Sequence, residues 1–154
     1  MDNFNEGSPY SIDRINNKEI HKIEDLFFKS LNEYINLNNK KQIYIDRMPM
    51  NIIYIGEINK IFPEAKFIIS LRHPCDCVLS CFMQNFIFNY QTAHFTNLSD
   101  ATYLYDSVMS LWTDYKKKLP INYKEVKYEN IIENFDDTIK SILNFLNLPW
   151  NNNV

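Results

Sequence analysis

Arg72 and Ser80 are the side chains in this sequence best suited to holding an anion together. A guanidinium presents a planar fork of N–H donors that matches phosphate oxygens, and a hydroxyl supplies one donor more. Arg72 follows the nearly continuous apolar run Phe67-Ile68-Ile69-Ser70-Leu71. Such a run suits a strand buried on both faces, and open α/β sheets bind ligands at the carboxyl ends of their strands. Pro74 stands where a helix can begin, because a missing N–H costs nothing in the first turn. The N–H groups of that turn add to an anion site. Ser80 falls about two turns into the helix, on the order of 10 Å along its axis. Spacing alone leaves a second reading open, in which Arg72 caps nearby carbonyls and Ser80 faces the sheet.

Other reactive side chains have plainer explanations. Cys77 and Cys81 share a helix face, Cys75 points away from them, and no second Cys/His pair stands at zinc-finger spacing. Buried or partly buried thiols are expected, with no metal. His21 is expected in solvent, and His94 on the surface or near an acceptor. Lys116-Lys117-Lys118 reads as a solvated helix end that suits the dipole. Tyr103, Tyr105, Trp112 and Tyr115 fit a helix packed on a sheet.

The elements that must position these residues follow from periodicity. Ile20, Ile23, Phe27, Leu31 and Tyr34 place an apolar face on a helix over 18–37, after a polar lead-in over 1–17. Residues 42–45 form a short strand candidate. A helix is predicted over 51–62, stopped by Pro63. The helix after Pro74 carries Val78, Leu79, Phe82, Met83 and Phe86, and residues 89–99 read as a loop. Leu104, Val108, Leu111, Trp112 and Tyr115 mark a strong amphipathic helix. Residues 122–128 are a third strand candidate, and a last helix covers 135–146. Strands alternating with helices imply an α/β fold with a mainly parallel sheet. One partial domain over 18–150, with a tail at 151–154, is the expected organisation.

With 154 residues, 45% hydrophobic, 15% aromatic and 23% charged, the chain is globular in composition and excludes disorder, collagen and coiled coil. A net charge of −3 gives no footprint for nucleic acid. No apolar stretch reaches the length of about 18 residues that a membrane span needs. The polar start is unlike a signal peptide, and three cysteines do not make a disulfide framework, so a reducing, cytoplasmic location is expected. Only Gly7 and Gly56 are glycines, which excludes a glycine-rich phosphate loop within these residues.

A longer string of motifs narrows the chemistry. Asp46-Arg47-Met48-Pro49-Met50-Asn51, Phe62-Pro63-Glu64-Ala65-Lys66, the run from Leu71-Arg72-His73-Pro74 to Ser80-Cys81, Val126-Lys127-Tyr128-Glu129-Asn130-Ile131 and Leu146-Asn147-Leu148-Pro149-Trp150 occur in order. Together they resemble the sulfotransferase superfamily, and most closely its bacterial tetratricopeptide-associated branch, related to tyrosylprotein sulfotransferases. The resemblance spans about residues 42–150. It implies a three-layer P-loop-type fold, incomplete here at both ends. It also implies transfer of a sulfuryl group from 3′-phosphoadenosine 5′-phosphosulfate (PAPS) to an acceptor hydroxyl on protein, glycan or small molecule, without a metal. Arg72 and Ser80 match the residues that hold the 3′-phosphate, Tyr128 the one against the adenine, and Arg47 the basic residue near the transferring group. Glu129 matches a structural carboxylate that caps neighbouring backbone. The family's glycine-rich 5′-phosphosulfate loop and its following glutamate have no counterpart here. The chain by itself is therefore expected to lack activity, with a non-catalytic nucleotide-binding or interaction module as the alternative.

Overall fold

Two parallel strands, β1 (Lys66–Leu71) and β2 (Asn122–Lys127), make the sheet of the described residues in a computed structural model, which describes residues 14–34 and 43–151. The chain divides into two compact units, Met1–Ala65 and Lys66–Val154.

In the first unit, α1 spans Asn17–Tyr34. Asn16 starts it through a reciprocal cap: its Oδ1 accepts from the Lys18 and Glu19 amides at 3.0 and 3.2 Å, and its own amide donates to Glu19 Oε2 at 2.9 Å. The expected extension of this helix to residue 37 lies outside the described residues, as do most of the lead-in and positions 152–154 of the tail. Pro49–Tyr54 forms a 3₁₀ segment that runs into α2 (Ile55–Ile61), so the helix expected over 51–62 is split between two geometries. Phe62 packs edge-on against Phe27 and Phe28 at 5.2 and 6.1 Å, and Ile55 is buried. The strand expected over 42–45 is not formed: residues 43–48 have no regular structure, and position 42 lies outside the described residues.

In the second unit, β1 leads through α3 (Pro74–Met83) and α4 (Leu98–Lys118) to β2, then α5 (Tyr128–Glu133) and α6 (Phe135–Leu146). The strands pair in register from Lys66 opposite Asn122 to Leu71 opposite Lys127. A parallel pair needs a long crossover, which α3 and α4 supply. Asn97 caps α4 by accepting from the Ser99 and Asp100 amides. Ile69, Ala101, Trp112 and Val126 are the buried apolar residues of this unit among those described. The Trp112 ring meets Tyr123 edge-on at 5.0 Å, and its indole N–H donates to Glu125 Oε1 at 2.8 Å. Tyr103, expected among the packed aromatics, is instead exposed, because it lies off the stripe that carries Ala101 and Trp112.

The expected helix over 135–146 coincides with α6. It ends in an αL residue, Asn147, with φ of 60°, while Leu148 N–H reaches back to the Leu143 carbonyl at 2.8 Å. Asparagine tolerates that conformation, and Pro149 prevents the helix from resuming. Lys66 fastens α6 to the start of β1 by donating to the Phe145 carbonyl at 2.8 Å. Among the described residues no helix is long and apolar enough to cross a membrane.

Candidate functional site

β1 ends at Leu71 because the next residues turn toward Pro74, whose ring cannot donate to a sheet ladder. Arg72 therefore leaves the sheet at the carboxyl end of β1. β2 ends one register position earlier than Tyr128, which opens α5. Beyond the last backbone rung, contacts that involve side chains continue the pairing. The Arg72 guanidinium carbon lies 5.1 Å from the centre of the Tyr128 ring. One position on, the His73 amide donates to Glu129 Oε1 at 3.1 Å. Arg72 with Tyr128 and His73 with Glu129 are the two rungs that would follow Leu71 with Lys127.

Arg72, Asp76, Leu79, Ser80, Met83 and Gln84 line a shallow cleft of about 280 Å³ along α3. Asp76 and Ser80 are four apart on the helix and share a face. Arg72 Nε stands 3.5 Å from Asp76 Oδ2, with both side chains about half exposed, at 44% and 54%. A larger hollow of about 360 Å³ lies along Met109, Ser110, Thr113 and Asp114 on α4, and these residues include an acid but no base. Arg72 and Ser80 thus reach one cleft, and Tyr128 flanks it through Arg72.

The helix N-terminus contributes less than its sequence suggests. Pro74 has no N–H, and the Asp76 and Cys77 amides both donate to the His73 carbonyl, at 3.0 and 3.1 Å. Most first-turn donors are spent inside the turn, so the cleft's donors to an anion are side chains. Asp76 escaped the sequence reading. Its signal was available, since an acid four residues after Arg72 falls at ion-pairing distance on a helical continuation.

Glu129 caps backbone, as its motif position implies. Its carboxyl is held below the usual carboxylate range, first by its own backbone N–H and then by that of His73. A lowered folded pKa stabilises the fold above the unfolded value, about 4.3, and that share is lost as pH falls through the folded value. Glu129→Gln is therefore expected to be less stable than the wild type at neutral pH, with the gap closing in acid. Urea denaturation of both proteins across the acid range measures it, and a gap independent of pH would refute the charge-based role.

Arg47 is exposed in the irregular stretch of the first unit, beside Asp46, whose Oδ2 accepts from Asn51 at 2.8 Å. Cys75 is exposed, against the expectation of partly buried thiols, because α3 turns it away from the half-buried stripe that carries Cys77 and Cys81. Burial pushes both of those thiols up, and for Cys77 the neighbouring Cys81 adds to the effect. His21 pairs with Glu24 at 2.8 Å in solvent, and His94 lies in a 3₁₀ segment with its ring 6.4 Å from Tyr90. Lys116 is less free than expected, donating to Glu125 and lying over the Trp112 ring at 5.5 Å. Among the described residues no group of His, Cys, Asp and Glu is arranged to hold a metal ion.

A model of the sulfotransferase family matches residues 6–152. A protein of Aquifex aeolicus (strain VF5), described only as uncharacterized, is 27% identical over 125 residues. The match covers 80% of this chain and 16% of that protein, so the chain spans a small part of its relative's length. No solved structure matches the chain.

Proposed function

The chain belongs to the sulfotransferase family, and from that premise we propose that its α3 cleft is the 3′-phosphate subsite for PAPS. The observation that carries the reading is the convergence of Arg72 and Ser80 on one cleft at the exit of β1. The donor set suits a phosphate. Arg72 contacts Asp76 at 3.5 Å, longer than a tight charge-assisted bond of about 2.8 Å, so most of its N–H donors remain available. Ser80 adds a hydroxyl, and the half-exposed Tyr128 ring offers an aromatic surface for the adenine.

When bound, the cosubstrate supplies the sulfuryl group that passes to an acceptor hydroxyl. Arg72 and Ser80 fix the far end of the nucleotide, which helps convert the encounter into an oriented one. For Arg47, in the other unit, the motif resemblance alone supports a place near the transferring group, where an arginine can stabilise developing negative charge without giving up a proton. The ordered motifs support the tetratricopeptide-associated branch and a P-loop-type fold, with the acceptor a protein, glycan or small alcohol.

Calorimetric titration with 3′-phosphoadenosine 5′-phosphate, against adenosine 5′-phosphate, tests the subsite. Binding at least tenfold tighter with the 3′-phosphate is expected, from the charge-assisted bonds that it adds. Equal affinities, or no binding by the folded protein, would overturn the subsite and favour an interaction module. A transfer assay separates an enzyme from a non-catalytic nucleotide-binding module.

A further inference from the structure

We propose that Asp76 is a specificity-determining residue, covering one docking edge of Arg72 so that free inorganic anions are turned away from the cleft. The inference rests on the reading of that cleft as a phosphate subsite.

A guanidinium accepts an oxyanion two-pronged at either of two places, along the side that includes Nε or across its terminal nitrogens. In this cleft the Nε side is faced by Asp76 Oδ2 at 3.5 Å. The Tyr128 ring lies against the guanidinium, 5.1 Å from its central carbon. The ring flanks the guanidinium, and the carboxylate stands beside one edge. The terminal nitrogens are the edge left for a phosphate that also reaches Ser80 on the same helix face.

A free phosphate or sulfate is not constrained in its approach and would use either edge. Asp76 disfavours the Nε edge for it by standing beside that edge with a like charge. A 3′-phosphate tethered to a nucleoside is delivered in one orientation, so losing the other edge costs it little. Asp76 thus lowers the affinity for small anions more than that for the nucleotide. Both side chains are about half exposed, so solvent screens the charge and the effect is modest.

The test compares wild type, Asp76→Asn and Asp76→Ala by calorimetry. 3′-Phosphoadenosine 5′-phosphate is titrated alone and in competition with inorganic phosphate, at a pH where both phosphates are dianions. Asp76→Ala is expected to bind inorganic phosphate about fivefold more tightly, with a smaller gain for the nucleotide, as suits a screened contact of one charge. Asp76→Asn keeps an oxygen near Nε without the charge, and an intermediate ratio of the two affinities is expected. Circular dichroism confirms that each variant is folded, and Asp76→Asn, nearly the same shape as the native residue, carries the test if Asp76→Ala does not fold. A ratio unchanged in the variants, or equal gains for both ligands, overturns the proposal while leaving the subsite intact. A wild type indifferent to the 3′-phosphate overturns the subsite itself, and this proposal with it.

Discussion

Replacing Arg72 with alanine is expected to weaken binding of 3′-phosphoadenosine 5′-phosphate by roughly 10- to 150-fold, while leaving binding of adenosine 5′-phosphate nearly unchanged. The magnitude follows from losing charge-assisted bonds worth about 1.5–3 kcal/mol in total, the upper part of that range requiring a two-pronged contact. Ser80→Ala removes one hydroxyl donor and is expected to cost only about three- to tenfold. The difference between the two nucleotides matters more than either affinity. A variant that lost both ligands equally would be misfolded or would have lost the adenine contact, and the assignment of Arg72 to the 3′-phosphate would fail. Lysine at this position is expected to recover only part of the affinity, because an ammonium offers a point charge in place of a fork.

The second large effect concerns stability. Trp112→Ala is expected to destabilise the fold by about 3–5 kcal/mol, the range for truncating a buried aromatic, against a total stability of about 5–15 kcal/mol for a typical domain. Trp112 is 1% exposed, and only five described residues are buried apolar ones, so little else can compensate. The indole also ties α4 to β2: it meets Tyr123 edge-on, donates its N–H to Glu125, and lies under Lys116 one turn further along α4. Trp112→Phe keeps most of the apolar surface and abandons the indole donor, which is expected to cost about 1 kcal/mol for the hydrogen bond plus some packing. Glu125 retains Lys116 in that variant. Urea denaturation followed by circular dichroism measures both. Equal, small losses would mean that the centre of the second unit lies elsewhere.

Periodicity made the long elements legible and failed on the short ones. α6 and α4 repeat apolar residues over several turns, and both were anticipated in place. α5 was not. Six residues, Tyr128–Glu133, give fewer than two turns, and the β-branched pair Ile131-Ile132 reads as easily as the end of a strand. The strand expected at 42–45 failed for a different reason. A strand is completed by a partner, and alternation in one segment carries no information about whether a neighbour lies alongside. At the site, the motif residues were visible one by one, but their meeting was not. Tyr128 against Arg72, and Glu129 on the His73 amide, join positions separated by the whole crossover, and nothing local in either segment announces the other. Asp76 shows the converse, a contact legible from spacing that the stronger motif around it obscured.

The side-chain rungs past Leu71 and Lys127 carry a consequence for how the molecule comes into being. His73 and Glu129 are 56 positions apart, and everything between them must be reeled in before they meet. Closing so long a loop has an entropic cost that is recovered only after the strands have paired, which makes such contacts late ones in folding. The Tyr128 flank of the α3 cleft then forms late and depends on register, whereas the cleft's own lining, from Arg72 to Gln84, is local in sequence. A slip of one residue between the strands would set Arg72 opposite Glu129 or Lys127 instead of Tyr128 and would undo both rungs at once. A ligand that engages Tyr128 together with the cleft therefore recognises correctly paired strands, and by mass action it draws the population of chains toward them.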